Sequence, residues 1–216
     1  MRSNLRIKGG KKLISPTGSK TRPTTSRLRE SLMNILGEKL TNSSWLDLYS
    51  GSGVIGCEAI QRGAINIVAI EKDDFTSKLC KSNLFNSAKG IKSDIFIEVI
   101  NYDSIKILNK GFSTFKERLK SKYEKTMRLV FDFIYIDPPY DSNLYLKSLK
   151  GLVKGGWVSK ESIVICEHSK GMFQTPNCWL KIDQRSYGSS NLTILSPQAS
   201  FLSDIDSKRL RIGQEG

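Results

Sequence analysis

The segment Asp137-Pro138-Pro139-Tyr140 holds the residues of this chain best suited to gripping an amine on an aromatic ring. Two successive prolines fix the backbone and remove two N–H donors, so the carbonyls there can only accept. The Asp137 carboxylate is an acceptor as well. An exocyclic –NH2 on a heteroaromatic ring is a poor nucleophile because its lone pair is delocalised. Accepting both of its hydrogens favours pyramidalisation and aims the lone pair at an electrophilic methyl carbon, a gain of orientation and electrostatics. Tyr140 offers a face for stacking, worth roughly 1–3 kcal/mol per base in single-strand binders. Read without that context, Asp-Pro is also a common turn opener.

A second constellation lies upstream, in Asp47-Leu-Tyr49-Ser-Gly51-Ser-Gly53-Val-Ile-Gly56. Its glycines let the backbone turn tightly and approach a ligand closely. The spacing satisfies G-x-G-x-x-G, so a nicotinamide dinucleotide competes as a reading. Asp47 argues against it, since a carboxylate there would repel a pyrophosphate but hold the cationic amine of an amino-acid-like cofactor. Glu71, beside Lys72, stands where a carboxylate accepts both hydroxyls of a ribose. Asp103 in Asn101-Tyr-Asp103 could accept from an adenine amino group, or it could be a solvent-facing loop residue.

Positioning these groups requires alternating strands and helices. Apolar runs at 45–49, 65–70, 95–100, 129–136 and 162–166 read as buried strands. Helices are predicted over 54–61, 74–88, 104–125 (broken at Gly111) and 142–152. Segments 179–182 and 192–195 read as a closing antiparallel pair around a polar turn. The pattern predicts an α/β fold: a mostly parallel seven-stranded sheet covered on both faces, with ligands at the carboxyl ends of the strands. Before it, residues 5–14 read as a hairpin around Gly9-Gly10. A helix follows Pro23-Thr-Thr-Ser, with apolar Leu28, Leu32, Ile35 and Leu36, and ends at Gly37. The expected organisation is a basic arm over 1–22, one catalytic domain over 23–200 and a tail over 201–216.

The 216 residues suffice for one full core, and 38% hydrophobic residues exclude a disordered chain. No apolar run approaches the roughly 20 residues of a membrane span, and the start resembles no signal peptide. Four dispersed cysteines (Cys57, Cys80, Cys166, Cys178) imply a reducing, cytoplasmic setting without a zinc site. The lone His168 makes a Ser-His-Asp triad improbable and reads as structural. The formal charge is +13, with +8 in residues 1–30 and +6 in residues 106–128. Charge so confined is the footprint of a polyphosphate partner bound with strong salt dependence.

Leu5-Arg-Ile-Lys-Gly-Gly, Arg22-Pro-Thr-Thr-Ser-Arg-Leu-Arg-Glu30, the Asp47–Gly56 loop with Glu58-Ala59, Asp137-Pro-Pro-Tyr140 and the late Arg185-Ser-Tyr-Gly together resemble the bacterial RsmD-type methyltransferases. The resemblance runs from about residue 5 to 196. It implies a Rossmann-like class I methyltransferase fold that uses S-adenosylmethionine to methylate the N2 amine of a guanine in small-subunit (16S) ribosomal RNA. It further implies that Asp47, Tyr49, Gly51, Gly53, Glu71, Lys72 and Asp103 line the cofactor. Asp137, Pro138, Pro139 and Tyr140 would hold the guanine. Arg6, Lys8, Lys11, Lys12, Arg22, Thr24 and Arg27 would touch rRNA, free or in an assembling 30S particle. A monomer without metal or membrane contact is expected. The runner-up is an adenine-N6 methyltransferase on DNA or RNA, which shares the Asp-Pro-Pro-Tyr chemistry but for DNA usually needs a separate recognition domain. A dehydrogenase has no use for the proline clamp, and a non-catalytic ribosome-assembly module would not need every acid and glycine in place.

Overall fold

The computed structural model describes residues 5–15, 25–120, 130–139, 142–171 and 173–202. Two short strands, β1 (Leu5–Arg6) and β2 (Lys12–Leu13), pair antiparallel around a 3-10 turn at Lys8–Gly10. The main sheet holds β3 (Ser44–Leu48), β4 (Asn66–Glu71), β5 (Phe96–Asn101), β6 (Phe133–Ile136), β7 (Ile163–Ser169), β8 (Trp179–Tyr187) and β9 (Ser190–Pro197), in the order β5-β4-β3-β6-β7-β9-β8. The first five are mutually parallel, and β9 joins β7 and β8 antiparallel. This is the expected mixed α/β sheet with a small hairpin ahead of it.

All five residues of β3 are buried, as a central strand covered on both faces requires. Alternation along the strands divides the interior in two. Trp45, Ile67, Ala69, Phe133, Tyr135 and Ile165 pack under α1 (Ser26–Leu36), α2 (Val54–Ile60) and α3 (Asp74–Ala88). Leu46, Leu48, Val68, Ile70, Ile134 and Val164 face α4 (Ser104–Lys110), α5 (Phe112–Lys120) and α6 (Ser142–Lys154). Gly111, at φ 83°, breaks α4 from α5 where the sequence placed the interruption.

Several boundaries differ from the sequence reading. Helix α1 starts at Ser26, because the Thr25 hydroxyl accepts from Leu28 N at 3.3 Å and caps it. Strand β6 begins at Phe133. Just before it, Asp132 is tied to Ser44, its N–H donating to Ser44 O (2.9 Å) and its Oδ2 accepting from Ser44 N (2.7 Å). The β8–β9 hairpin is longer than expected and leaves only Gly188-Ser189 as its turn. Polar residues in β8 hid its length, since β8 is an edge strand with much of its surface in water. Arg22, Thr24, Tyr140, residues 121–129 and the tail from 203 lie outside the described residues.

Candidate active site

Leu48 of β3 is in register with Ile136 of β6, so the glycine loop and Asp137 leave neighbouring parallel strands at the same level. Adjacent strands are about 4.8 Å apart, which puts both constellations at one point of the carboxyl edge. That register is the central geometric fact of the site.

The loop after β3 is held in an unusual conformation. Tyr49 has φ 61°, rare for a residue with a Cβ. Its hydroxyl lies 2.9 Å from Ser148 Oγ on α6, while Ser50 N donates to Ile70 O at 3.0 Å. Ser50 Oγ donates to Asp47 O at 2.8 Å, and Gly53 N to Ser50 O at 2.8 Å. Gly53 has φ 75°, and a Cβ there would lie 2.7 Å from Cys80 Sγ, so α3 packs directly on the loop.

Two carboxylates flank this loop in different ways. Glu71, at the end of β4, accepts from Gly51 N through Oε2 (2.8 Å) and from Asp73 N through Oε1 (2.9 Å). Asp47 is only 2% exposed and accepts from the Gly56 backbone at the start of α2. The sequence reading gave Asp47 direct contact with a cationic amine. The structure buries it beneath the loop, where it organises the backbone. Burial first, and the charge of Glu71 second, push its pKa up to about 8. A bound cation would relieve both penalties.

Asp103 caps α4, its Oδ1 accepting from Lys106 N at 2.9 Å, while Oδ2 lies 3.8 Å from Lys72 Nζ. Lys72 is exposed, so this pair is weak. Asn101 Nδ2 donates to Glu71 O (3.1 Å) and Lys72 O (2.8 Å), fixing the turn that carries Glu71. Asp137 is half-buried, Pro138 buried and Pro139 exposed. Behind them a polar network stiffens the edge. Tyr135 donates from its hydroxyl to Glu167 Oε2, Ser190 Oγ donates to Glu167 Oε1 (3.2 Å) and Tyr145 donates to Glu167 O (2.6 Å). His168 bonds Thr193 Oγ1 (2.8 Å) and Ser169 O (2.9 Å) and stacks on Phe173. Its nitrogens are thus occupied structurally.

The arm residues divide into two kinds. Arg6, Lys8, Lys12 and Arg27 are exposed. Lys11 is not available in the same way: its ammonium donates to Ser87 O (2.9 Å) and Lys89 O (2.7 Å) at the end of α3. A cation there satisfies terminal carbonyls and the helix dipole, making Lys11 an anchor of the hairpin. Sequence reasoning also missed a buried cluster. Arg29 and Arg62 converge on Glu58 at 3.5 and 2.5 Å, and Arg29 donates to Arg6 O at 2.9 Å. Arg29 and Glu58 belong to segments the sequence singled out, but their separation along the chain gives no sign that they pair.

The described residues thus bring two carboxylates, Glu71 and the buried Asp47, to the glycine loop at the carboxyl edge of the sheet. Among them, no group of three or more His, Cys, Asp or Glu could hold a metal ion, and no helix is long and apolar enough to cross a membrane. The family described as Conserved hypothetical protein 95 matches residues 5–196. The chain belongs to this family. Its relatives include the ribosomal RNA small subunit methyltransferase D of Escherichia coli K12, 25% identical over 91% of this chain and 90% of that protein. The methyltransferase of the same name from Buchnera aphidicola of Acyrthosiphon pisum is 30% identical over 74% of each chain. Among solved structures, a putative methyltransferase of E. coli, yhhF, superimposes with TM-score 0.70 at 26% identity, covering 90% of this chain and 98% of that one. The fold is that of the Rossmann-like methyltransferases, as expected from the sequence.

Proposed function

We propose that this chain transfers a methyl group from S-adenosylmethionine to the exocyclic N2 of a guanine in small-subunit ribosomal RNA. The observation that carries this reading is the Leu48–Ile136 register, which sets the glycine loop and the Asp137-Pro-Pro segment side by side. Relatives named for ribosomal RNA small subunit methylation, at 25–30% identity over most of the chain, support it.

S-adenosylmethionine supplies the electrophilic methyl when bound. Glu71 would turn from the Gly51 N–H toward the ribose hydroxyls, and the charge of Asp47 and Glu71 would favour the cationic end. Asp137 and the carbonyls of the proline pair accept the hydrogens of the guanine amine and hold its lone pair toward the methyl. As the N–CH3 bond formed, the S–CH3 bond would break and the donor would leave as a neutral thioether; the alkylated nitrogen would be cationic, with Asp137 stabilising that charge until the proton passes to water. Tyr140 stacks on the base. The amine is paired within a duplex, so the guanine must be looped out or flipped. Arg6, Lys8, Lys12 and Arg27, with Arg22 and Thr24, contact small-subunit rRNA, free or in an assembling 30S particle. Residues 1–22 form the arm and 23–200 the catalytic domain of a cytoplasmic monomer.

The test is incubation of the purified chain with tritiated S-adenosylmethionine and small subunits from cells lacking the enzyme. Label recovered as N2-methylguanosine is the expected result. Label in N6-methyladenosine, or none, overturns the reading.

A further inference from the structure

A cleft of about 620 Å³ opens between the start of α1 and the β8–β9 turn, lined by Thr25, Arg27, Ser186, Tyr187, Gly188 and Ser189. Its volume lies within the roughly 300–1,000 Å³ of small-ligand clefts. We infer that this cleft is a second nucleotide subsite, holding a phosphate and a base of the RNA strand beside the target guanine. The inference rests on the rRNA reading above and extends it.

The lining is chemically matched to such a ligand. Arg27 is exposed, makes no ion pair among the described residues, and carries the planar fork that suits a phosphate. The Thr25 oxygen accepts from Leu28 N, which leaves the hydroxyl hydrogen to donate. Ser186 and Ser189 line the opposite wall, and the Tyr187 ring gives a surface for a base. Gly188, at φ 61°, has no atom within 4 Å of the position of an added Cβ, so the turn presents bare backbone.

Position and rigidity support the same conclusion. The Tyr187 hydroxyl is bonded to Ser31 Oγ on α1, and Ser186 Oγ donates to Asn191 Oδ1 at 2.7 Å. The two walls are therefore braced against each other. Ser190, next to the turn, pairs with Ser169 at the carboxyl end of β7 and donates to Glu167. Glu167 is bonded in turn to Tyr135, two residues before Asp137. Strand β8, which carries Ser186 and Tyr187, is three strand spacings from β6, about 14 Å. A strand with its guanine at Asp137 thus reaches the cleft with a nucleotide close by along the chain. The +8 charge of residues 1–30 selects a polyanion over a neutral peptide.

The test is filter binding of naked small-subunit rRNA to the full chain across a salt series, with Arg27→Gln, Tyr187→Leu and Tyr187→Phe compared to wild type. Lys39→Gln, an exposed lysine outside the cleft, serves as control. Arg27→Gln is expected to weaken binding about tenfold and reduce the log–log salt slope by about one. Tyr187→Leu is expected to weaken binding more than Tyr187→Phe, which keeps the ring. Retained affinity for S-adenosylhomocysteine shows that each variant is folded. An unchanged slope and affinity for Arg27→Gln, or an equal loss for Lys39→Gln, overturns the subsite. This binding readout is independent of methyl transfer. If N2-methylguanosine forms while Arg27→Gln is silent, the subsite fails together with the rRNA contact of Arg27, and the methyl-transfer reading stands. If another nucleoside is labelled, the proposed function fails and the binding data still decide the cleft.

Discussion

Asn83, inside α3, holds both backbone polar groups of Ile14, accepting from its N–H at 3.0 Å and donating to its carbonyl at 2.9 Å. The same amide donates to Ser52 O at 2.9 Å. One buried side chain thus ties the end of the N-terminal hairpin to the glycine loop. Replacing it with alanine removes three hydrogen bonds of about 1 kcal/mol each. We expect Asn83→Ala to lose about 3 kcal/mol in urea unfolding and to weaken S-adenosylhomocysteine binding in calorimetry. Unaltered cofactor affinity in a destabilised variant would show that the loop needs no such tie.

Glu58 accepts from two arginines while 4% exposed, and Arg29 is 3% exposed. Truncating one partner strands a buried charge, which costs about 3–5 kcal/mol. Glu58→Ala should therefore lower the urea midpoint severely. The double variant Glu58→Leu with Arg29→Met should be distinctly less damaged than Glu58→Ala. A double variant as unstable as the single one would count against this account.

Asp47 has its pKa raised from 3.8 to about 8. Folding therefore favours its neutral form, so the folded chain binds more protons than the unfolded one between these values. Its contribution to stability falls as pH rises through that window. A cationic ligand favours the charged form and releases a proton on binding. Affinity for S-adenosylmethionine is expected to rise from pH 6 to 8, by at most about tenfold per unit, and to level off above. Asp47→Asn should flatten the profile. Calorimetry in buffers of different ionisation enthalpy reads the proton directly.

Lys11 and Lys12 adjoin but do different work. Lys11→Ala breaks two bonds to the end of α3 and should cost about 1–2 kcal/mol of stability. Lys12 is exposed, so Lys12→Gln should leave stability within about 0.5 kcal/mol and reduce the salt slope of rRNA binding by about one. Thermal melts and filter binding separate the two, and reversed effects would refute the assignment.

Asp137→Ala is expected to reduce methyl transfer by at least about 10²-fold, since it removes a group aimed at developing charge. S-adenosylhomocysteine affinity should stay within about twofold. Turnover comparable to wild type would eliminate the proposed clamp.

Much of this architecture was legible in the chain because buried parallel strands are continuous apolar runs. Helix α3 falls on the predicted 74–88, and the break at Gly111 was visible from the glycine alone. What stayed hidden depends on contacts far apart in sequence. Nothing in Tyr49 announces Ser148, ninety-nine positions on, and nothing in Asn83 announces Ile14. Lys11 looked like its basic neighbours because composition records charge and not what the charge touches. Asp47 was identified by type, but whether it faced a ligand or the underside of the loop depended on packing.

The order β4-β3-β6 has a consequence for biosynthesis. Strand β3 gains its first neighbour, β4, within about twenty residues, but its second flank waits for Phe133–Ile136. At ribosomal elongation rates that wait is on the order of ten seconds. Throughout it, a strand built to be buried along its whole length presents an open ladder of amides and carbonyls, the kind of edge that recruits stray chains. The nascent polypeptide is therefore most vulnerable to aggregation between the emergence of Asn66–Glu71 and that of Phe133–Ile136.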